Sequence, residues 1–420
     1  MALISTIAAI VFICTYLFIA VNKTPWFEIK RSYVALIGAS LMIIVGAISF
    51  TDAIDSVNMD VIMLLLGMML LVAGLEYTGF FTLLSNLMVK QSSSKRKMLA
   101  IVMLISAILS AVALNDAAVL ILTPIVIRCC QKTDANPIPF LVGLMMSANI
   151  GSISTAVGNP QNAYVLSVSG MDFITFSLYS IPISVVCILL TYAILLLIFR
   201  KSLYSKYKYH IDVHENERPV VKEQMYLMIT VMICTFIGFL CSGIGRYKIC
   251  IVSMISGAIS LLIIASSEPR CTIWAIKHVD WHVLLFFIGL FVLIGGASNT
   301  GLISDLSSSF PGFHEGDPIS ITSLSIFTVV LSNIVSNVPA VMLITEMITD
   351  PTTMMLIALA ASSTLAGNTT LIGSVANIIV AERSENYGIR IDFFKFMLVG
   401  IVVTVITIAA MILMINLMFN

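Results

Sequence analysis

The chain has 420 residues, 59% of them hydrophobic and 10% charged, with 22 basic and 22 acidic side chains and a formal net charge of zero. Its mean hydropathy is +1.05. Such a composition excludes an ordinary set of soluble domains and points to no nucleic-acid partner.

Runs such as 4–21, 33–50 and 173–199 are apolar for long enough to cross a hydrocarbon layer of about 30 Å, which takes roughly 20 helical residues. The predicted class is an all-α polytopic membrane protein. In chain order, full spans are expected near 3–21, 33–50, 60–89, 140–170, 173–199, 224–242, 247–267, 282–303, 353–382 and 393–418. These make about ten transmembrane helices. The first has no basic residue before it and no small-residue cleavage site, so it reads as a retained span and not as a signal peptide. The eight Cys show neither disulfide nor zinc spacing and read as buried apolar residues.

Two apolar stretches, 98–127 and 319–348, do not fit this series. Each is interrupted near its middle, the first by "VALNDAAV" from Val112 and the second by "VSNVPAVM" from Val335. The arm after each interruption, from Asp116 or Val338 onward, is too short to cross at about 1.5 Å per residue. Each stretch is therefore predicted to be a re-entrant hairpin that enters and leaves on one side.

The basic residues support this arrangement. With both hairpins re-entrant, all of the 22 Lys and Arg except Arg246 and Lys248 fall on one side, which the positive-inside rule makes cytoplasmic. Both chain termini are then expected outside, in a plasma (inner) membrane. Turning either hairpin into a crossing would invert everything after it.

The chain also resembles itself. Ala53, Ile54, Val57, Val61, Gly67, Gly74, Thr78 and Gly79 recur in register as Ala275, Ile276, Val279, Val283, Gly289, Gly296, Thr300 and Gly301. The same register carries Asn115 to Asn337 and Ala118 to Ala340, and after a shortening Gly158 matches Gly373 and Asn162 matches Asn377. The expected organisation is a first repeat over 1–200 (hairpin 98–127, broken helix 140–170), a cytoplasmic linker over 201–223, and a second repeat over 224–420 (hairpin 319–348, broken helix 353–382). Five spans per unit place the copies upside down relative to each other. Inverted repeats with interrupted helices are the architecture of many secondary transporters.

Non-helical backbone at membrane depth must be buried in protein or line a wet cavity. Each interruption carries helix-start chemistry: Asn115; Asn337 with Pro339 in the first turn; Gly158-Asn159-Pro160; and Gly373 followed by Ser374 as an N-cap. Helix N-termini that converge suit an anion or a strongly polar oxygen-bearing solute. The tips at 114–117 and 335–340 are expected to meet near the midplane beside 158–162 and 373–377. The oxygens of Ser152, Thr155, Asn162, Asn368, Thr369, Thr370 and Asn377 around the same breaks suit a small cation. Asp116 and Glu76 are carboxylates expected inside the membrane, and their repeat partners, Val338 and Ser298, are neutral. A fold that does not need an acid there points to coupling-ion chemistry at both.

At these residues, in "NDAAVLILTPIV", "SANIGSISTAVGNPQN", "SNVPAVMLI" and "STLAGNTTLIGSVANIIVAE", the sequence resembles the arsenite-permease/NhaD-like branch of the ion-transporter superfamily, which carries the citrate-transporter-like domain. The likeness runs along essentially the whole chain and is greatest to members that include plant silicon-efflux carriers and the melanosomal P protein. It implies a homodimer in which outer helices form a scaffold and the hairpins and broken helices move as an elevator. Carried over from the related divalent-anion/sodium symporters, it assigns Asn115, Asp116, Asn159, Asn337 and Asn377 to ion and solute binding, with sodium near Asn115, Asp116 and Asn159.

The sequence thus predicts an ion-coupled secondary transporter of a small oxyanion or weak inorganic acid, arsenite- or silicate-like, or of a carboxylate such as citrate. A sodium/proton antiporter is the alternative. No HExxH, GxSxG or nucleotide-binding P-loop occurs, so an enzyme is not expected. No cofactor is expected beyond sodium or a proton as coupling ion.

Overall fold

A computed structural model describes residues 2–20, 30–81, 83, 94–204, 222–267, 271–309, 320–348 and 350–419. Lys23, Lys90 and most of the linker expected over 201–223 lie outside the described residues.

Every regular element among the described residues is a helix. The first half of the chain forms α1 (Ala2–Ala20), α2 (Arg31–Val45), α3 (Met59–Tyr77), α4 (Lys95–Ala113), α5 (Asn115–Lys132), α6 (Ile138–Ser152), α7 (Pro160–Ser169) and α8 (Phe173–Ile198). The second half forms α9 (Lys222–Gly245), α10 (Ile249–Ser267), α11 (Trp281–Asn299), α12 (Ile321–Val335), α13 (Asn337–Met347), α14 (Thr353–Ala366), α15 (Val375–Glu385) and α16 (Phe393–Phe419). Short helices at Phe50–Asp55, Arg200–Leu203, Cys271–Lys277 and Leu302–Ser309 connect them.

Local chemistry sets the boundaries. Asn58 caps α3 through Val61 N–H at 3.2 Å, and Asp280 caps α11 through the N–H groups of His282 and Val283. Ser94, Asp172 and Thr352 cap α4, α8 and α14 in the same way. Gly46 and Gly170, both in the left-handed region, end α2 and α7.

Eight helices among the described residues are long and apolar enough to cross a membrane: α1, α3, α4, α8, α9, α10, α11 and α16. This corrects the expected series in several places. The span expected over 33–50 is a 15-residue helix, because Gly46 turns the chain into a short second helix. The stretches 140–170 and 353–382, expected as broken helices, are each two helices separated by a polar break. The first arm of the first interrupted stretch, α4, has 19 residues and is long enough to span by itself. The expected short second arm is found in α13, with 11 residues, but α5 has 18. It continues past Ile127 through Arg128, Gln131 and Lys132, good helix formers, and the positive charge of Lys132 suits the last turn.

Packing partners recur between the halves. α3 packs on α10 as α11 packs on α2; α4 packs on α6 as α12 on α14; α6 packs on α8 as α14 on α16; and α5 packs on α15 as α13 on α7. Two matched glycines make the closest contacts possible. A Cβ on Gly67 of α3 would collide with the Ser253 carbonyl of α10, and one on Gly289 of α11 would sit 2.7 Å from the backbone of Ala35 in α2. α8 also packs on α16, and the broken helices α6, α7, α14 and α15 meet between them, with almost every residue of α6 and α14 buried.

Candidate functional site

The four interruptions are built in matched pairs. Leu114 joins α4 to α5 with φ 65° and ψ 135°, and Ser336 joins α12 to α13 with φ 82° and ψ 158°. Side chains rarely tolerate that region, at a cost of about 1–3 kcal/mol per residue. The sequence contains no glycine at either tip to announce it. The helices meeting at each bend pack against each other.

The breaks between α6 and α7 and between α14 and α15 are held by one asparagine each. Asn162 donates its Nδ2 to the carbonyls of Ser152 and Thr155, both at 3.0 Å. Asn377 donates to Gly367 at 2.7 Å and Thr370 at 3.0 Å. These two side chains therefore spend their amide donors on shaping loops. Asn159 caps α7 through Asn162 N–H at 2.9 Å, but Ser374 makes no cap, against the N-cap expectation. Its hydroxyl is drawn instead to Asn149.

Asn149, in the middle of apolar α6, is a hub that the sequence reading did not single out. Its Nδ2 reaches Asn368 Oδ1 at 2.9 Å and Asn377 Oδ1 at 3.1 Å, while its Oδ1 accepts from Ser374 at 2.9 Å and from Asn115 Nδ2 at 3.5 Å. Thr364 in α14 is the converse hub. Its Oγ1 accepts from Asn159 Nδ2 at 3.1 Å and Gln161 Nε2 at 3.3 Å. Each half of the chain thus hydrogen-bonds the break of the other. Asn159 also donates to Ser152 Oγ at 2.9 Å, and Asn115 N–H donates to the Gly158 carbonyl at 3.0 Å. A polar side chain inside an otherwise apolar helix was the available signal for Asn149; nothing distinguished Thr364 or Gln161.

Around the second tip, several buried polar atoms lack a partner: Asn337 Oδ1, Asn333 Oδ1, Thr370 Oγ1 and Asn368 Nδ2. Leaving such an atom unpaired costs about 1–3 kcal/mol. Asn333 Oδ1, Thr370 Oγ1 and the Gly367 carbonyl ring the hydrogen-only face of Gly373, lying 3.1, 3.2 and 3.3 Å from where a Cβ would be. Asn333, four residues before Asn337, was not among the predicted residues. Two predicted hydroxyls turn elsewhere: Thr155 donates to the Ala111 carbonyl, and Thr369 to Thr404 Oγ1 at 3.3 Å.

The acids lie to one side. A cavity of about 130 Å³ between α3, α5 and α11 is lined by Glu76, Asn115, Asp116, His278 and Asp280. Glu76 falls in the last turn of α3, because Gly79 at φ 81° stops that helix, whereas the span expected over 60–89 would put it near the middle. Asp116 interacts electrostatically with Asp280 and with Arg31. Arg31, the first residue of α2, donates Nη1 to Ser336 Oγ at 3.0 Å. A larger cavity of about 540 Å³, lined by Asp60, Asp172, Arg246 and Lys248, contains none of the break residues.

Eight long apolar helices around a buried polar cluster, assembled where four helices begin at chain breaks, define a membrane transporter. The chain belongs to the citrate transporter family, whose model matches residues 16–354. It is 30% identical to the 46 kDa membrane protein of Mycobacterium leprae, over 96% of each chain. It is 25% identical to the silicon efflux transporter LSI3 of Oryza sativa, over 92% of each. The crystal structure of the YdaH transporter of Alcanivorax borkumensis shares its fold, with a TM-score of 0.57 over 99% of this chain and 98% of that one at 13% identity.

Proposed function

We propose that the protein is an ion-coupled secondary active transporter of small anions or weak inorganic acids, with the cross-bonded breaks as its solute site. The observation that carries this reading is the buried polar cluster itself. Asn149 and Thr364 bind the opposite half of the chain, while Asn337 Oδ1 and Asn368 Nδ2 stay buried without partners. A cluster that served stability alone would satisfy those atoms. The helices α5, α7, α13 and α15 all begin there, and helix N-termini favour negative charge. Carboxylates such as citrate follow from the family's name, and silicate- or arsenite-like acids from the silicon-efflux relative and the arsenite-permease-like motifs.

The oxygens ringing Gly373 suit a small cation, as does the carboxylate of Asp116. A cation or proton at Asp116 would cancel a charge that otherwise repels an anion. The second reading, a sodium/proton antiporter, draws on Glu76, Asp116, His278 and Asp280 sharing one cavity.

We read the two halves as inverted repeats and the motion as an elevator. Two apolar gaps flank the interrupted helices on matching sides. One of about 480 Å³ separates α9 from α4, lined by Ile229, Met232, Ile105 and Ile108; the other, of about 420 Å³, separates α1 from α12, lined by Phe12, Leu17, Phe327 and Val330. Surfaces that meet mainly through apolar side chains suit sliding, with Tyr16 Oη to the Pro339 carbonyl as a hydrogen bond beside the second gap. The segments 4–21, 33–50, 225–242 and 249–266 then form the scaffold and the contact of a homodimer. The side-segregated basic residues support both termini outside, in the plasma (inner) membrane.

Uptake and counterflow in proteoliposomes test the reading. Citrate, silicic acid and arsenite are offered with sodium or proton gradients imposed separately. Saturable solute exchange accelerated by one gradient is expected. Sodium-driven proton movement that no solute alters would favour the antiporter instead.

A further inference from the structure

The strongest unassigned feature is Arg31. It stands at the start of α2, a helix that packs on α1 and α11 and belongs to neither interrupted stretch. Its half-buried guanidinium nevertheless reaches the second tip, with Nη1 3.0 Å from Ser336 Oγ, and its charge acts on Asp116 at the first tip. Its Nε is buried and has no partner.

The matched half of the chain shows that the fold does not require this arginine. Lys30 Nζ lies 2.6 Å from His282 Nε2, and Lys248 Nζ lies 2.7 Å from Asp60 Oδ2. Since Asp60 and His282 occupy the same register, Lys30 corresponds to Lys248, and Arg31 to Ile249. α10 begins with that isoleucine and still packs on α3 as α2 packs on α11. A permanently charged, rigid fork at one of two equivalent helix starts, with an unused donor beside the site, calls for a ligand. The chemistry it matches is a carboxylate or oxyanion, which takes two parallel N–H donors from a guanidinium.

We propose that Arg31 recognises the negative charge of the transported solute and so sets the preference for anions over uncharged acids at this site. This rests on the transporter reading above. Without solute, Ser336 Oγ holds one of its donors, and Asp116 at the other tip is the carboxylate whose charge it feels. An arriving carboxylate takes Nε and an Nη together. Asp116 and the solute then compete for one positive charge, and a cation that neutralises Asp116 strengthens solute binding by leaving Arg31 unopposed. By linkage the solute strengthens cation binding by the same factor.

The test uses the full-length protein in proteoliposomes, with citrate as the anionic probe and silicic acid as the uncharged one, each measured as kcat/KM. Charge-assisted hydrogen bonds contribute enough for a change of roughly ten- to hundredfold. R31Q is expected to lower the ratio of citrate to silicic-acid efficiency at least tenfold, and R31K, which keeps the charge but loses the fork, to give an intermediate ratio. If R31Q does not fold, the R31K ratio alone decides. An arginine that only braces the tip would lower both solutes together and leave the ratio unchanged; that result overturns the assignment. Citrate uptake by the wild type with a ratio insensitive to R31Q and R31K removes this inference only. A wild type that moves neither probe removes the transporter reading, and the assignment with it.

Discussion

The residues that do most at the site are those whose hydrogen bonds join distant parts of the chain. Asn149 makes four such contacts and is fully enclosed. Asn149→Leu removes both its donors and its acceptor and strands Asn368, Asn377 and Ser374, each at about 1–3 kcal/mol. We expect a clear fall in melting temperature in detergent together with loss of transport; a variant as stable as wild type would show that the cluster is not cooperative. Asp116 invites a different substitution. A carboxylate in an apolar setting is costly to keep charged without a cation beside it. Asp116→Asn keeps shape and polarity, so the fold is expected to survive while transport loses its dependence on the driving cation. Asp116→Ala is expected to weaken solute binding as well. Unchanged sodium and pH dependence in Asp116→Asn would leave that carboxylate as a helix-end group only, and the same substitution at Glu76, which shares its cavity, is the companion measurement.

At the scale of elements, the two tips and the two glycine contacts are the informative places. Leu114 and Ser336 hold φ values of 65° and 82° that glycine adopts without strain. Leu114 is buried and Ser336 Oγ holds Arg31, so the side-chain loss is matched by comparing glycine with alanine. Leu114→Gly and Ser336→Gly should be at least as stable as Leu114→Ala and Ser336→Ala in thermal unfolding. In a continuous helix glycine would cost about 1 kcal/mol relative to alanine, so a deficit of that size at both positions would contradict the bends. Gly67 and Gly289 predict the opposite sign. Their Cα atoms lie against the Ser253 carbonyl and the Ala35 backbone, so even alanine must push α3 from α10 or α11 from α2. Overpacking of this kind typically costs about 1–3 kcal/mol, readable as a lowered melting temperature of Gly67→Ala and Gly289→Ala.

For the whole molecule, the proposed elevator requires α1 to move past α13. Tyr16 Oη donates to the Pro339 carbonyl at 3.3 Å across that boundary. With the exposed Cys14, Cys234 and Cys241 replaced by serine, a short bifunctional maleimide joining Tyr16→Cys to Pro339→Cys should stop transport and leave solute binding intact. Transport that continues at full rate in the cross-linked protein would remove the sliding motion.

Much of this protein is written in its hydropathy. Long apolar runs without water must satisfy their own backbone, so helices follow wherever they occur. Asn159 stands where α7 begins because its side chain caps the first turn, and Pro339 suits the first turn of α13, whereas Asn115 opens α5 without capping it and turns its side chain to Asn149. Other features needed the assembled chain. The length of α5 depends on helix continuing beyond the apolar run, and the end of α3 places Glu76 in a cavity with Asp116 and Asp280. The hydrogen bonds of Asn149 and Thr364 link residues more than two hundred positions apart. Arg31 meets Ser336 across a comparable distance, and its partnerless Nε exists only in that enclosure. Local sequence determines which segments are helical and where they must break. Which broken ends face one another, and which polar atoms are left for a solute, is decided by packing between helices that no local pattern records.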